Sequence, residues 1–151
     1  MKDEFDRLRA SYPEQMGASL VLPLLQAVQQ RKGHVTEADA RIVADYAGVP
    51  PMQVMEALSW YTMLHRQPVG QHVVKVCRNI ACALRGSDRL LAHVEKKLGV
   101  APGGTTADRR FTFLAVECLA SCGTAPVMQV DETYHEQLDE AMVDRVLGDL
   151  R

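Results

Sequence analysis

Four cysteines are the residues of this chain whose type and spacing could do chemistry. Cys77 and Cys82 have four residues between them, Cys118 and Cys122 have three, and 35 residues separate the two pairs. Each pair begins where a strand-like run ends, after Val76 and after Glu117. Two strand ends of one sheet can be neighbours, so two loops could gather four sulfurs. A small buried hydrophobe accounts for one cysteine, but poorly for four in this pattern. Disulfides need an oxidising compartment, and the opening MKDEFDRLRA has no apolar stretch of a secretory signal. Three redox and metal patterns are absent. No C-x-x-C of a thioredoxin-type dithiol occurs. The C-x4-C-x2-C of plant ferredoxins is missing, and no His lies within four residues of a Cys, as a Rieske site would ask.

A four-thiolate zinc site and an iron–sulfur cluster both stay open on chemistry alone, because tetrahedral zinc accepts C-x2–4-C spacings. The loops tilt the balance toward iron–sulfur. Cys82-Ala83-Leu84 and Cys118-Leu119-Ala120-Ser121-Cys122-Gly123 are small or apolar and place no acid between paired ligands. Such loops let backbone N–H groups approach the sulfurs, which helps set a cluster's potential. Gly123 is expected to supply a positive φ there.

The elements that must position these loops are legible in the rest of the chain. The sequence has 151 residues, 47% apolar and 24% charged, with 17 Lys+Arg against 19 Asp+Glu. That suits one domain, or a small domain with a helical appendage, and the net charge of −2 argues against a broad nucleic-acid surface. The longest apolar stretch, Ala18 to Leu25, contains Ser19 and Pro23 and is far short of the ~20 residues that span a bilayer. The chain is therefore expected to be soluble and cytoplasmic, without direct membrane insertion.

Residues 1–66 read as a helical bundle. Ser19 is expected to cap a helix to Gln30, with Pro23 in its first turn and Leu20, Leu24, Ala27 and Val28 on one stripe; Gly33 ends it. Thr36 opens a second helix with Asp39 in the capping-box position. Ile42, Val43 and Tyr46 carry its stripe and Gly48 stops it. Pro50-Pro51 restart the chain into a third, with Val54, Leu58 and Tyr61 at helical spacing. Past the connector Arg66 to Gly70, residues 67–151 alternate differently. Strands are expected at His72–Val76, Phe111–Val116, Pro126–Val130 and Thr133–His135, with helices at Gly86–Leu98 and Leu138–Leu150. On the last helix Met142, Val146 and Leu150 are the expected stripe. The order β, α, β, β, β, α suggests a sheet flanked by helices.

The cysteine segments Cys77-Arg78-Asn79-Ile80-Ala81-Cys82 and Glu117-Cys118-Leu119-Ala120-Ser121-Cys122-Gly123-Thr124-Ala125-Pro126 closely resemble one family, the thioredoxin-like [2Fe–2S] subunit of NADH:quinone oxidoreductase. This is the E subunit of bacterial complex I and the 24-kDa subunit of mitochondria. Leu22-Pro23-Leu24-Leu25, Val49-Pro50, Tyr61-Thr62-Met63, Pro68-Val69-Gly70, Leu84-Arg85-Gly86, Pro126 to Val130 and the acidic-Tyr element at Tyr134 match its landmarks, so the likeness runs from about Tyr12 to Leu150. Trp60 and Leu64 stand where Phe is usual. Ala120-Ser121 replaces a common Gly-Ala, which raises two questions: whether position 120 needs a positive φ, and whether the Ser121 hydroxyl bonds near the cluster.

The resemblance implies an α+β fold, an N-terminal helical bundle followed by a thioredoxin-like [2Fe–2S] ferredoxin domain with a four-stranded sheet. It implies one [2Fe–2S] cluster per chain on Cys77, Cys82, Cys118 and Cys122, with one loop pair per iron. It also implies a redox subunit with no catalytic residue or substrate site of its own, beside a partner that binds FMN and NADH, on the cytoplasmic side of the membrane. A homodimer of the isolated chain is compatible with it. The same module serves NAD-dependent formate dehydrogenases and NAD-reducing hydrogenases; a structural four-cysteine zinc module is the alternative of another class.

The remaining signals read as packing. His34, His65, His72, His93 and His135 lack ligand spacing. Met52, Met55 and Met63 read as core or partner-facing, Trp60-Tyr61 as core ahead of interface, and the N-terminal segment as a grip on the flavin subunit. Thr36 to Leu58 could imitate a helix-turn-helix, but Met52 to Leu58 carries no Lys or Arg for phosphate contacts. No dinucleotide motif, P-loop or Ser/His/Asp pattern appears.

Overall fold

In the computed structural model, which describes residues 1–150, the chain up to Trp60 forms helices α1 (Lys2–Ala10), α2 (Gly17–Lys32), α3 (Glu37–Ala47) and α4 (Pro51–Trp60). They belong to the first of two compact units, Met1–Pro68 and Val69–Arg151. The stripe on α2 is buried as expected, with Leu20, Leu24, Ala27 and Val28 joined by Val21 and Leu25. Its start is not as expected. The helix begins at Gly17, ahead of Ser19, and no side chain caps it. Pro23 therefore lies inside the helix rather than in its first turn. An interior proline costs about 3 kcal/mol, but Leu20, Leu24 and Leu25 are each 0% exposed, and burying a leucine stabilises by about 1.5–3 kcal/mol. Burial wins. The earlier start also serves packing: a Cβ at Gly17 would sit 2.1 Å from the Ala47 carbonyl oxygen, so only glycine allows this approach to the end of α3.

On α3 the capping box is complete, with Asp39 in the place usually held by Glu or Gln. The Asp39 N–H donates to Thr36 Oγ1 at 3.2 Å, and the Asp39 carboxylate accepts the Thr36 N–H at 3.0 Å and its hydroxyl at 2.7 Å. Lys32 adds an ion pair to the same buried carboxylate. Gly33 and Gly48 end α2 and α3 in the left-handed conformation, as read from the sequence. Val43, Val54 and Leu58 enter the core, whereas Ile42 and Tyr61 are exposed. The Ile42 side lies at the edge of a stripe centred on Ala40, Val43, Ala44 and Ala47. Trp60, expected in the core, is 82% exposed.

The second unit holds strands β1 (His72–Cys77), β2 (Phe111–Val116), β3 (Met128–Val130) and β4 (Thr133–His135) and helices α5 (Ile80–Leu84), α6 (Ser87–Leu98) and α7 (Glu140–Asp149). The sheet order is β2-β1-β3-β4. β1 and β2 are parallel, with His72 opposite Phe111 and Cys77 opposite Val116, and β3 is antiparallel to both β1 and β4. The parallel pair needs a crossover, which α5 and α6 supply. Val74, Val76, Phe111, Phe113, Met128 and Val130 form the sheet side of a core completed by Leu90 and Val94 of α6 and by Val143 and Leu147 of α7. The α7 stripe is thus centred one residue beyond Met142 and Val146, which are partly buried. Ahead of β1, Gly70 donates its N–H to Thr112 Oγ1 at 2.7 Å, and a Cβ there would fall 2.7 Å from the Phe111 carbonyl carbon.

Burial pushes the Asp39 carboxyl up, but the bonds from Lys32 and Thr36 outweigh it and hold the group below the ordinary aspartate value. A depressed carboxylate stabilises the fold above its unfolded pKa, and that contribution is lost as pH falls through the folded one. Asp39→Asn should therefore lower stability to urea by about 1–3 kcal/mol at pH 7. The gap between variant and parent should narrow steadily below about pH 4.

Candidate metal centre

The parallel register of β1 and β2 decides where the sulfurs lie. Cys77 is the last residue of β1, opposite Val116, the last of β2, so both cysteine segments leave the same end of the sheet. Cys77 is also fixed on its other side, where its N–H donates to the Val127 carbonyl at 3.1 Å. Beyond it, the Asn79 side chain accepts the Ile80 N–H at 2.9 Å and caps α5. This five-residue helix is too short for periodicity to reveal. It turns Cys82 inward against Cys77, Leu119, Ala125 and Val127 while Ile80 and Leu84 stay exposed. The roots of the two segments are joined by Arg78, whose Nε donates to Glu117 Oε1 at 2.9 Å.

The second segment answers both questions that Ala120-Ser121 raises. Ala120 has φ 58°, so that position does take the left-handed conformation, which costs an L-residue with a Cβ about 1–2 kcal/mol. Gly123, expected to supply the positive φ, is not in that region; it sits within a 3-10 turn, Cys122–Thr124. The left-handed bend turns the Ala120 N–H onto Cys118 Sγ at 3.2 Å. The Ser121 hydroxyl makes no bond to a sulfur. It donates to the Glu136 carboxylate and contacts Thr124 Oγ1 at 2.8 Å. Glu136 carries no motif and follows Ser121 by 15 residues, so nothing in the sequence pointed to it.

All four cysteines are free thiols, Cys77 and Cys82 buried and Cys118 and Cys122 exposed. They stand as two pairs. Cys82 is buried in one small core with Cys77, Cys118 is the nearest charge to Cys122, and Cys122 also lies within electrostatic reach of Cys77 and Cys82. Burial first, then the contact with Cys77, pushes the Cys82 thiol up to about 11, against the pull of a backbone hydrogen bond from Val127. Charge on Cys118 is the main cause that raises Cys122, followed by burial and the contact with Cys118. Thiols that oppose one another's ionisation need bound cations before all can be thiolates. Among the described residues no three His, Cys, Asp or Glu side chains converge as ligands of a single ion. His72 pairs instead with Asp131 and His93 with Asp144, at 2.8 and 2.9 Å.

Fold and sulfurs together define a protein with four free cysteines just beyond the carboxyl ends of two parallel strands in a mixed sheet. The model of the thioredoxin-like [2Fe–2S] ferredoxin family matches residues 5–151. A Rhizobium meliloti E subunit of NADH-quinone oxidoreductase, the second so named there, is 39% identical over 151 residues, covering 100% of this chain and 89% of its own. NADH-quinone oxidoreductase subunit 2 of Thermus thermophilus is 35% identical over 151 residues, covering 99% of this chain and 83% of its own. A chain of an NAD+-reducing [NiFe]-hydrogenase superposes with a TM-score of 0.70 at 20% identity, over 84% of this chain but only 22% of that one, and so shares the fold. The chain belongs to the thioredoxin-like [2Fe–2S] ferredoxin family, whose cofactor is a [2Fe–2S] cluster.

The residues present fit that group. It asks for thiolate ligands, and the four thiols fall two and two, with the backbone N–H of Ala120 on Cys118 Sγ. Each Cys→Ser change at 77, 82, 118 and 122 should abolish or strongly alter the visible absorbance and the EPR signal of the reduced protein. Far-UV circular dichroism should retain the helical signal, because the helical unit has its own core.

Proposed function

We propose that the chain is an electron-transfer subunit of an NADH:quinone oxidoreductase of the complex I type, holding its cluster on Cys77, Cys82, Cys118 and Cys122. The observation that carries this is the gathering of the four thiols as two pairs at one end of the sheet. Its relatives over almost their whole length are NADH-quinone oxidoreductase subunits. When bound, the cluster exchanges single electrons, whereas a reduced flavin holds two.

The chain's own residues set how that group is held. Cys77 and Cys82 keep one side of it away from water, and exposed Cys118 and Cys122 present the other side to a partner. The Ala120 N–H stabilises charge on Cys118. The Arg78–Glu117 pair leaves little net charge at the roots of the segments. The partner is an FMN- and NADH-binding subunit; this chain supplies a redox site to it and no catalytic residue. Residues 67–151 act as the cluster domain and residues 1–66 as the grip. The exposed Met52, Trp60, Tyr61 and Met63 support that role, as does an open depression of ≈ 440 Å³ beside Trp60 and Tyr61. No helix among the described residues is long and apolar enough to cross a membrane, which suits a place on the cytoplasmic side of a larger complex. The shared fold with the hydrogenase chain favours a second assembly of the same kind, an NAD-reducing hydrogenase, for this subunit.

Mixing experiments separate a supplied redox site from an enzyme. NADH added anaerobically to the purified chain should leave its visible spectrum unchanged, and the same addition with the FMN subunit present should bleach it. Bleaching by NADH alone, or none with the flavin subunit, would contradict the proposal.

A further inference from the structure

We propose that Glu136, acting through Ser121, is a positioning residue that holds the Cys118–Cys122 segment closed around the cluster and offsets the left-handed backbone at Ala120. This rests on the cluster assignment above. Ala120 has φ 58°, a conformation that its Cβ disfavours, yet it is this bend that directs the Ala120 N–H onto Cys118. Something next to it must keep the bend from relaxing. Ser121 is the adjoining residue, and its hydroxyl has one proton to give, which goes to Glu136 Oε1. Thr124 Oγ1 lies 2.8 Å from Ser121 Oγ and also donates to the Ser121 carbonyl at 3.1 Å, so its one proton is shared between the two acceptors. The chain of hydroxyls ends on a carboxylate, and hydrogen bonds to an ionised acceptor are about twice as strong as neutral ones.

A second tie runs beside the first. The Gln137 N–H, from the residue after Glu136, donates to the Thr124 carbonyl at 2.8 Å. Ser121 and Thr124 bracket Cys122, so both bonds act on the ligand that the rest of the sheet does not fix. Cys77 is held by β1 and by Val127, and Cys82 by burial in the small core around Leu119 and Val127. Cys118 and Cys122 are exposed and depend on their own segment. Glu136 touches no sulfur in this network; its carboxylate acts on the segment chiefly through Ser121, with Thr124 as a second partner.

The test uses the full chain in two states. Peptide-resolved hydrogen exchange of residues 119–124 reads the loop in the metal-free protein, and the rate of cluster loss to an iron chelator reads it in the loaded one. Ser121→Ala and Glu136→Ala should each speed both by roughly 3- to 10-fold. The double variant should be no faster than the faster single, because Glu136→Ala already removes the bond that Ser121→Ala removes. Adding Ala120→Gly to Glu136→Ala should restore much of the loss, since glycine takes φ 58° without the Cβ penalty. Unchanged rates in both singles, a double variant whose effect is the product of the singles, or no rescue by Ala120→Gly would overturn the proposal. A chain that takes up zinc without sulfide would defeat the cluster assignment instead, while exchange in the metal-free protein would still judge the clamp.

Discussion

The parallel pairing of β1 with β2 is the constraint on which the site depends. Parallel neighbours end on the same side of a sheet, and ligands of mixed and parallel sheets gather beyond those carboxyl ends. With Cys77 opposite Val116, a one-residue slip would turn Cys77 to the other face of the sheet and away from Cys82. The register is held close to its start by Gly70, where a Cβ would meet the Phe111 and Thr112 backbone within 2.9 Å. It is held further along by Val74, Val76, Phe111 and Phe113, all on the face covered by α6 and α7. The outer edge of β2 is closed by the segment around Gly104 and Thr105, whose backbone bonds Phe113 and bridges Thr112. The sheet end is rigid for these reasons, while the Cys118–Cys122 segment beyond it relies on local bonds.

Much of this was legible in the sequence because it depends on local pattern. β1, β2 and β4 show as alternating or β-rich runs, and the ends of β1 and β2 place the cysteines. Thr36 and Asp39 announce a capping box, and Gly33 and Gly48 announce helix ends, since each meets a backbone requirement at its own position. The family resemblance supplied the ligand assignment that spacing alone left shared with zinc. What stayed hidden was set by contacts between segments. Helix α1 fully buries Phe5 and partly buries Leu8, a stripe of two residues that is too short to read. The start of α2 is decided by the Ala47 carbonyl, 30 residues on from Gly17. Glycine composition suggested Gly123 as the left-handed residue, but the bend needed to aim an N–H at Cys118 falls at Ala120.

Burial of the aromatic residues was misread for a related reason. Trp60 stands at the end of α4, where helical spacing from Val54 and Leu58 cannot say whether the next turn is still covered. The helical unit closes its core without it. Leu64 fills the place instead, and Gln29 fixes the segment that follows α4 through the Met63 carbonyl at 2.8 Å and the His65 N–H at 2.6 Å. That leaves a large aromatic side chain and two methionines outward on a unit that does not need them for its own packing, a pattern that interface surfaces use.

The central claim is that the four thiols hold a two-iron cluster rather than one zinc ion. Anaerobic purification followed by assay of iron, acid-labile sulfide and zinc, with an EPR spectrum after dithionite, addresses it directly. The expected result is two irons and two sulfides per chain with a rhombic S = 1/2 signal in the reduced protein. One zinc per chain, no sulfide and no EPR signal would contradict it, and would make the paired thiols a structural metal site.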